Sequence, residues 1–457
     1  MKKYIELFLE AIRGEEQNYT QMSINRAIFL LSIPMILEMI GESLFAIVDA
    51  FFVSKISIEA IATVGLTESV LTLIYSVAIG LSSAATAIVS RRTGEGNPEA
   101  AAHAVSQVIL ISLVLSALVG IPGAIFAEQI LALMGGEPHL IEQGALFTRL
   151  MFISSPAVIL LYTLSGALRG AGDASTAMRS IILANIINMA LDALLIMGLK
   201  FGVEGVAIAT TTGRTIGVLY QLWSLQKGQG NLRLELRLLK PDWAVLKNLI
   251  AIGSGGTGQF LIQSASWIFL TRIISSFGSD AVAGYTIAIR IIVFTILPAW
   301  GMANAAATLM GQNLGANQPD RAEKSVWRTA FYNMIFLLLV GLLFLGFAEN
   351  FISIFNNNPK VVEVGVLCLQ IMSAGYLFFG YGMVIGQALN GAGDTRTPTI
   401  MNFICFWLIE IPLAYLMAQY WHWGPLGVFL SIAIAESILA LMGIYFFKKG
   451  RWRTMKV

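Results

Sequence analysis

Apolar runs of roughly 20 residues or more recur along the whole of this 457-residue chain. As helices, runs of that length can cross a hydrocarbon core about 30 Å thick. Charged residues make up only 12% of the chain, against about 25% in ordinary soluble domains. The sequence therefore predicts an all-α polytopic membrane protein.

Twelve transmembrane helices are predicted along the chain. Their approximate bounds are 27–54, 60–89, 101–125, 140–166, 177–199, 203–226, 246–276, 281–310, 323–346, 361–388, 398–420 and 424–447. Lysine and arginine concentrate in the two termini and the even-numbered connections, while the opposite side offers only Lys55, Lys200 and Lys360 outside the spans. By the positive-inside rule, this asymmetry predicts that both termini are cytoplasmic.

The N-terminus, residues 1–26, is predicted to be a cytoplasmic amphipathic segment on the membrane face, because Ile5, Leu9 and Ile12 recur at helical spacing. The other predicted segments are a first six-helix lobe at 27–226, a cytoplasmic linker at 227–245, a second six-helix lobe at 246–447 and a basic cytoplasmic tail at 448–457.

The two lobes repeat one sequence pattern at a spacing of 221 residues. GALRGAGDAST, residues 166–176, returns as QALNGAGDTRT, residues 387–397. Three further loops match, the last after one inserted residue, where Gly202 corresponds to Gly424. Because each half holds an even number of spans, the copies are parallel repeats about an axis along the membrane normal. We expect a cavity between the two bundles and alternating access by rocking of one against the other.

The repeated loop is interpreted as structural rather than ligand-binding. Gly170 and Gly172 are expected to permit a tight turn with positive φ. Asp173 and Ser175 are expected to cap the helix that follows.

Acidic residues inside the spans are the main functional signal, since a charge at the bilayer centre costs at least about 2.5–3.5 kcal/mol. Asp49 in span 1, Asn188 and Asp192 in span 5, and Thr210 in span 6 lie at similar depth below the outer face. We expect them to form one cation-coupling site, because their hard oxygen donors suit H⁺ or Na⁺. A structural interpretation stays open, in which Asp192 is bonded to Asn188 or to backbone and Thr210 to a backbone carbonyl.

Other polar residues of the spans complete the predicted site. Glu42 and its repeat counterpart Gln263 are predicted, together with Asn185, to line a substrate cavity. Glu68 and Arg290 occupy adjacent positions in the repeat frame and form a candidate ion pair between the lobes.

Span 1 carries Glu38, Glu42 and Asp49 on one helical face, and Pro34 in the same span is a candidate hinge. Arg214, one turn from Thr210, is expected to offset part of the negative charge of these acids. Two further acids, at positions 410 and 436 in the last two spans, are interpreted as local hydrogen-bond partners.

Several function classes are excluded by the sequence. A net charge of +2 is too small to indicate nucleic-acid binding. We find no Walker motif and no nucleophile–base constellation, so the chain is predicted not to be an enzyme and to need no cofactor besides a coupling ion. The two cysteines, Cys368 and Cys405, lie in apolar runs and are predicted to be buried thiols. The three histidines lie at span ends and predict no metal cluster.

The twelve spans, the LRGAGD and LNGAGD loops and the IVDAFFVSKI stretch that closes span 1 resemble the multidrug and toxin extrusion (MATE) transporters over nearly the whole chain. The resemblance is to the prokaryotic DinF-like branch. It implies a first-lobe site at Asp49, Asn188, Asp192 and Thr210, and a span-1 proline, matched by Pro34, that bends on protonation. The NorM-like branch instead carries acids in spans 7 and 10, where this chain has Gln263 and no matching aspartate.

The resemblance implies a functional monomer in the lipid of a prokaryotic plasma (inner) membrane. Such a protein exports organic, often cationic or amphipathic small molecules against inward movement of H⁺ or Na⁺. The alternative is a lipid-linked carrier flippase of the wider superfamily. The acidic, inward-facing charges of span 1 count against that alternative, because such a flippase needs a strongly cationic cavity for a pyrophosphate.

Overall fold

The computed structural model describes residues 2–14, 18–228, 232–234, 239–455 and 457. Within these residues the fold is helical and contains no strand. The first half contains α1 Lys2–Arg13, α2 Ile24–Ser54, α3 Ile58–Gly94, α4 Pro98–Ile125, α5 Ala127–Leu133, α6 Pro138–Ile153, α7 Ser155–Ala171, α8 Ala174–Asp192 and α9 Val203–Lys227. The second half contains α10 Trp243–Ser275, α11 Ser279–Gly315, α12 Pro319–Ser353, α13 Pro359–Ala374, α14 Tyr376–Gly391, α15 Arg396–Asn402, α16 Ile411–Tyr415 and α17 Pro425–Lys449.

These helices assemble into the twelve predicted spans. Helices α6 and α7 together form one span, and α13 and α14 form another that bends by 58°. Segments of π-helix extend three helices, at Ala193–Gly198, Phe403–Glu410 and Leu416–Tyr420. Nine helices of the described ranges are long and apolar enough to cross a membrane, or ten with the bent pair. Helices α9 and α10, which are rich in glycine, serine, threonine and glutamine, complete the two six-helix repeats.

The N-terminal amphipathic helix is present as α1 and is docked on the helix bundle. Ser175 Oγ donates a hydrogen bond of 2.7 Å to the Ala11 carbonyl, so this serine anchors α1 instead of capping α8 as predicted. The Arg179 guanidinium donates to the carbonyls of the last turn of α1. Ile5 and Leu9 stay exposed, which leaves an apolar stripe on this helix uncovered by protein.

The repeated GAGD loop makes the same turn in both halves. Gly172 and its counterpart Gly393 both have positive φ, 94° and 91°. Asp173 caps α8, because its carboxylate accepts a bond of 3.0 Å from the Thr176 backbone N–H. The prediction of positive φ was wrong for Gly170, which is helical; there the missing side chain lets α7 pack directly on the backbone of α3.

The connection between the halves begins after Lys227, where α9 ends, and α10 begins at Trp243. Parts of the predicted linker, residues 229–231 and 235–238, lie outside the described residues, as do Met1, residues 15–17 and Lys456 of the predicted terminal segments. Asp242 caps α10 and shares a hydrogen bond of 3.1 Å with His103 of α4. That bond and the capped backbone N–H groups lower the pKa of the Asp242 carboxyl.

One buried polar pair occupies the same repeat position in both halves but differs in charge. In the first half the Arg169 guanidinium donates to the Glu38 carboxylate and, at 3.0 Å, to Ser82 Oγ. In the second half Gln259 and Asn390 stand at the equivalent positions and exchange two amide hydrogen bonds of 3.0 and 3.1 Å. The structure thus supports the 221-residue register, with an ion pair replaced by a neutral pair.

The two halves are joined at the end of the bundle that carries the GAGD loops. The Gln312 side chain of α11 donates to the Gly170 carbonyl at 2.9 Å, and Thr308 Oγ1 donates to the Arg169 carbonyl at 3.2 Å. A Cβ atom at Gly94 would lie 2.0 Å from the Gln312 carbonyl oxygen. This glycine therefore lets α3 and α11 meet backbone to backbone.

Gly94→Ala is expected to lower the free energy of unfolding by about 1–3 kcal/mol, because the added methyl group would clash with a backbone atom. A backbone atom cannot move away by changing rotamer, as a side chain could. The measurement is the thermal melting temperature in detergent. Gly65→Ala in the same helix is the matched control, since a Cβ there meets nothing within 4 Å. Equal melting temperatures for the two variants would contradict the close packing of α3 and α11.

Candidate functional site

Three polar side chains lie on one face of α8. Asn185, Asn188 and Asp192 follow each other at helical steps of three and four, and all three are buried. Asp192 is the last α-helical residue, and the π-helical segment begins directly after it. π-Helical turns occur frequently at functional sites, because the wider turn displaces side chains and backbone groups.

Close approach of α9 brings the fourth predicted residue to this face. A Cβ at Gly213 would lie 2.5 Å from the Ala184 carbonyl oxygen, so only glycine allows the two helices to touch here. Asn188 Nδ2 donates a hydrogen bond of 3.2 Å to Thr210 Oγ1. The structure therefore brings the predicted residues of spans 5 and 6 into direct contact.

The acceptors of this group are unsatisfied. Asp192 is fully buried, and neither of its carboxylate oxygens has a hydrogen-bond partner. Asn188 Oδ1, Asn185 Oδ1 and Asp49 Oδ1 on α2 are also without a partner. Buried polar atoms are usually paired, so this concentration indicates a place for a ligand that donates to oxygen or coordinates it.

Helix α2, which carries Asp49, packs against α8, and the charge of Asp49 acts on Asp192, as the charge of Glu68 acts on Asp49. Asp49 itself is half-buried. All donors are oxygens, which suit a proton or a hard monovalent cation. No group of three or more acidic, histidine or cysteine side chains suited to a metal ion occurs in the described part of the chain.

Glu42, by contrast, is neutralised by a base. Arg214 donates to both carboxylate oxygens, at 2.6 and 3.0 Å, and the Tyr162 hydroxyl donates a third bond of 3.0 Å. The guanidinium also lies 4.7 Å from the centre of the Phe45 ring. The sequence suggested Arg214 as a tempering charge; in the structure it is the ion-pair partner of Glu42, and its charge also acts on Asp49. The roles of Tyr162 and Phe45 were not predicted.

The other predicted site residues lie on α3, α10 and α11. Gln263 is half-buried on α10. Glu68 on α3 and Arg290 on α11 are both exposed, and the charge of Arg290 acts on Glu68, but the two side chains do not form an ion pair in this structure.

Pro34 lies buried within α2, which continues as one helix. At the next residue, α11 touches this helix through Gly301, where a Cβ would lie 2.6 Å from the Met35 carbonyl oxygen. Any bending of α2 at Pro34 therefore changes its contact with the second half of the molecule. The role of Pro34 as a hinge stays a prediction.

The sequence interpretation of Glu410 was also wrong. Glu410, expected to bond locally, is 2% exposed and its Oε2 atom has no hydrogen-bond partner. The preceding turn is π-helical and ends at Glu410, and this segment packs on α17.

Comparison with known proteins agrees with this architecture. The MatE family model matches residues 34–194 and 257–416. The chain is 26% identical to a probable multidrug resistance protein, YoeA, of Bacillus subtilis, over 94% of this chain and 95% of that protein. It is 27% identical to a probable multidrug resistance protein, NorM, of Thermotoga maritima, over 95% and 94%.

A crystal structure of a MATE protein in its straight conformation superposes with a TM-score of 0.90, at 25% identity, over 95% of this chain and 98% of that chain. The similarity covers both six-helix repeats and the connection between them. The family match spans more than half of the sequence. This chain is therefore a member of the MatE family, the multidrug and toxin extrusion proteins, which are membrane transporters and not enzymes.

Proposed function

We propose that this transporter exports organic, often cationic or amphipathic small molecules in exchange for inward movement of H⁺ or Na⁺. The observation that carries the proposal is the buried Asp192 carboxylate, which has no hydrogen-bond partner and has Asp49 as its neighbouring charge. A transporter needs a site whose occupancy by the driving ion changes the energy of one conformation. The multidrug names of the two relatives support the substrate class.

The proposed cycle uses the two repeats as rocking units. The end sealed by α3 and α11 is cytoplasmic under the positive-inside rule, so this conformation would face outward and take up the cation from outside. Binding at Asp49 and Asp192 would then favour bending of α2 near Pro34 and release of the substrate. By linkage, a cation that weakens substrate binding is itself bound more weakly when the substrate is present.

The cellular setting is part of the same proposal. The protein works as a monomer in the lipid of a prokaryotic plasma (inner) membrane, with both termini in the cytoplasm. Its partners are small-molecule substrates and lipid and not nucleic acid, and it needs no cofactor besides the coupling ion. The basic residues at the predicted cytoplasmic end support this orientation.

Asp192→Asn and Asp49→Asn are each expected to reduce efflux of a fluorescent cationic dye to the level of cells that lack the protein. The amide keeps the size of the carboxyl group but cannot bind a proton or offer a full charge to a cation. Asp280→Asn, at the outer end of α11 and away from the cluster, is the matched control and should retain efflux. Undiminished efflux in both cluster variants would reject the coupling site.

The coupling ion is decided in proteoliposomes with imposed gradients of pH or sodium, applied one at a time. The gradient that drives dye movement in the wild type, and fails to do so in Asp192→Asn, identifies the ion. Dye movement that ignores both gradients, together with scrambling of a lipid-linked carrier, would instead support the flippase.

A further inference from the structure

The second half of the molecule reverses the charge found at one position of the first. Helices α9 and α17 both begin directly after a glycine, Gly202 and Gly424, which fixes their register. In this register, Glu436 on α17 occupies the position of Arg214 on α9. The partner of Arg214, Glu42, corresponds to the neutral Gln263. The second half has therefore lost the base–acid pair and gained an acid.

Glu410 is a second acidic residue, on a segment that packs against α17. It ends the π-helical segment of span 11, and this segment packs on α17. The carboxylate is 2% exposed, its Oε2 atom has no hydrogen-bond partner, and Glu436 is the charge that acts on it. Glu436 is half-buried on α17, so the two acidic side chains lie on helical segments that pack against each other.

A third polar group, from a different helix, is also unsatisfied here. The Tyr285 hydroxyl on α11 is buried without a hydrogen-bond partner, and the charge of Glu410 acts on it. The tyrosine ring is held in place by stacking on Phe429 of α17, with ring centres 6.1 Å apart. Thr271 of α10 lies beside the hydroxyl; its own proton is donated to the Trp267 carbonyl, so Thr271 can act towards Tyr285 only as an acceptor.

The surroundings supply no positive charge. The other titratable groups nearby are the buried thiols of Cys405, on the same segment, and Cys368, on α13. The Cys405 thiol is engaged with Met442, with 3.7 Å between the sulfur atoms. Helices α10, α15 and α16 also pack on this segment, and no basic residue of the described chain acts on either carboxylate.

From this arrangement we infer that Glu410 and Glu436 form a second protonation site, in the second lobe, which binds one proton between the two carboxylates with the Tyr285 hydroxyl as its further hydrogen-bond partner. Two adjacent carboxylates inside a membrane protein cannot both carry charge without a counter-charge, and one shared proton removes that conflict. A proton fits better than a metal ion, because Ca²⁺ or Mg²⁺ needs about six oxygen ligands. The site is separate from the Asp49–Asp192 pocket, since its acids lie on spans 11 and 12.

The test is infrared spectroscopy of the purified, reconstituted full chain carrying Asp49→Asn and Asp192→Asn. In that background Asp49 and Asp192 contribute nothing, so the result does not depend on the coupling site proposed above. We expect a carbonyl stretching band of a neutral carboxylic acid at neutral pH, shifted on exchange into D₂O. The band should be lost in Glu410→Gln combined with Glu436→Gln, and should persist in Glu363→Gln, an exposed acid on α13.

A second variant keeps the inference falsifiable if the double amide folds poorly. Glu436→Arg installs the residue of the first lobe, and Glu410 should then lose its proton to become the anionic partner of the arginine. The neutral carboxyl band should disappear while carboxylate absorption increases. A band that survives in both variants, or no neutral carboxyl band in the parent protein, would overturn the inference.

Discussion

Arg169→Asn is expected to lower the free energy of unfolding by about 3–5 kcal/mol, the largest stability effect that we anticipate for this protein. The guanidinium is almost fully buried, and it is the ion-pair partner of Glu38, which is fully buried in α2. Removing the arginine leaves a carboxylate inside the bundle without a counter-charge. The measurement is the thermal melting temperature in detergent, together with the yield of monodisperse protein.

The second lobe provides the matched control for this experiment. There, Gln259 and Asn390 hold the equivalent positions as a neutral pair. Glu38→Gln added to Arg169→Asn reproduces that pair in the first lobe, and most of the lost stability should return, because no unpaired charge remains. A double variant that is as unstable as the single one would show that the ion pair is not the cause.

Arg214→Gln is expected to have a comparable effect, again about 3–5 kcal/mol, by leaving Glu42 without a counter-charge and with neutral donors such as the Tyr162 hydroxyl. Arg214→Lys should fall between this variant and the wild type, because lysine keeps the charge but cannot bind both carboxylate oxygens side by side. Melting temperature and dye efflux are measured on the same preparations.

Glu42→Gln combined with Arg214→Gln separates a structural role of this pair from a transport role. If the pair serves only to neutralise Glu42, the double variant recovers both the melting temperature and dye efflux. Recovery of the melting temperature without efflux would show instead that Glu42 contacts the substrate, as its place in the repeat first suggested.

The candidate cation site could be read from the sequence because its signals are local. Asn188 and Asp192 share a helical face by their spacing alone, and hydropathy marks both as unusual in a membrane span. Depth along the spans added Asp49 and Thr210. What the sequence missed was the difference between acids on a single face of span 1, where Glu38 and Glu42 have arginine partners and Asp49 has none in the described structure.

The Glu410–Glu436 pair shows the same limit in the second lobe. Both acids were visible in the sequence, and both were assigned to local bonds. The glycines before α9 and α17 also show the register in which Glu436 occupies the repeat position of Arg214. The proposed function of the pair depends on two observations, that Glu410 Oε2 has no hydrogen-bond partner and that the Tyr285 hydroxyl is nearby. Both depend on how three separate spans pack.

The sequence by itself therefore determined the class, the twelve spans, the duplicated topology and the polar faces, since hydropathy and helical periodicity act over one or two turns. Only the tertiary structure decided which buried charges are paired. Arg169 lies 131 residues from Glu38, and Arg214 lies 172 residues from Glu42. Such pairs form through the rotation and approach of whole helices, and electrostatic interaction inside the membrane depends on ångström distances that no local pattern encodes.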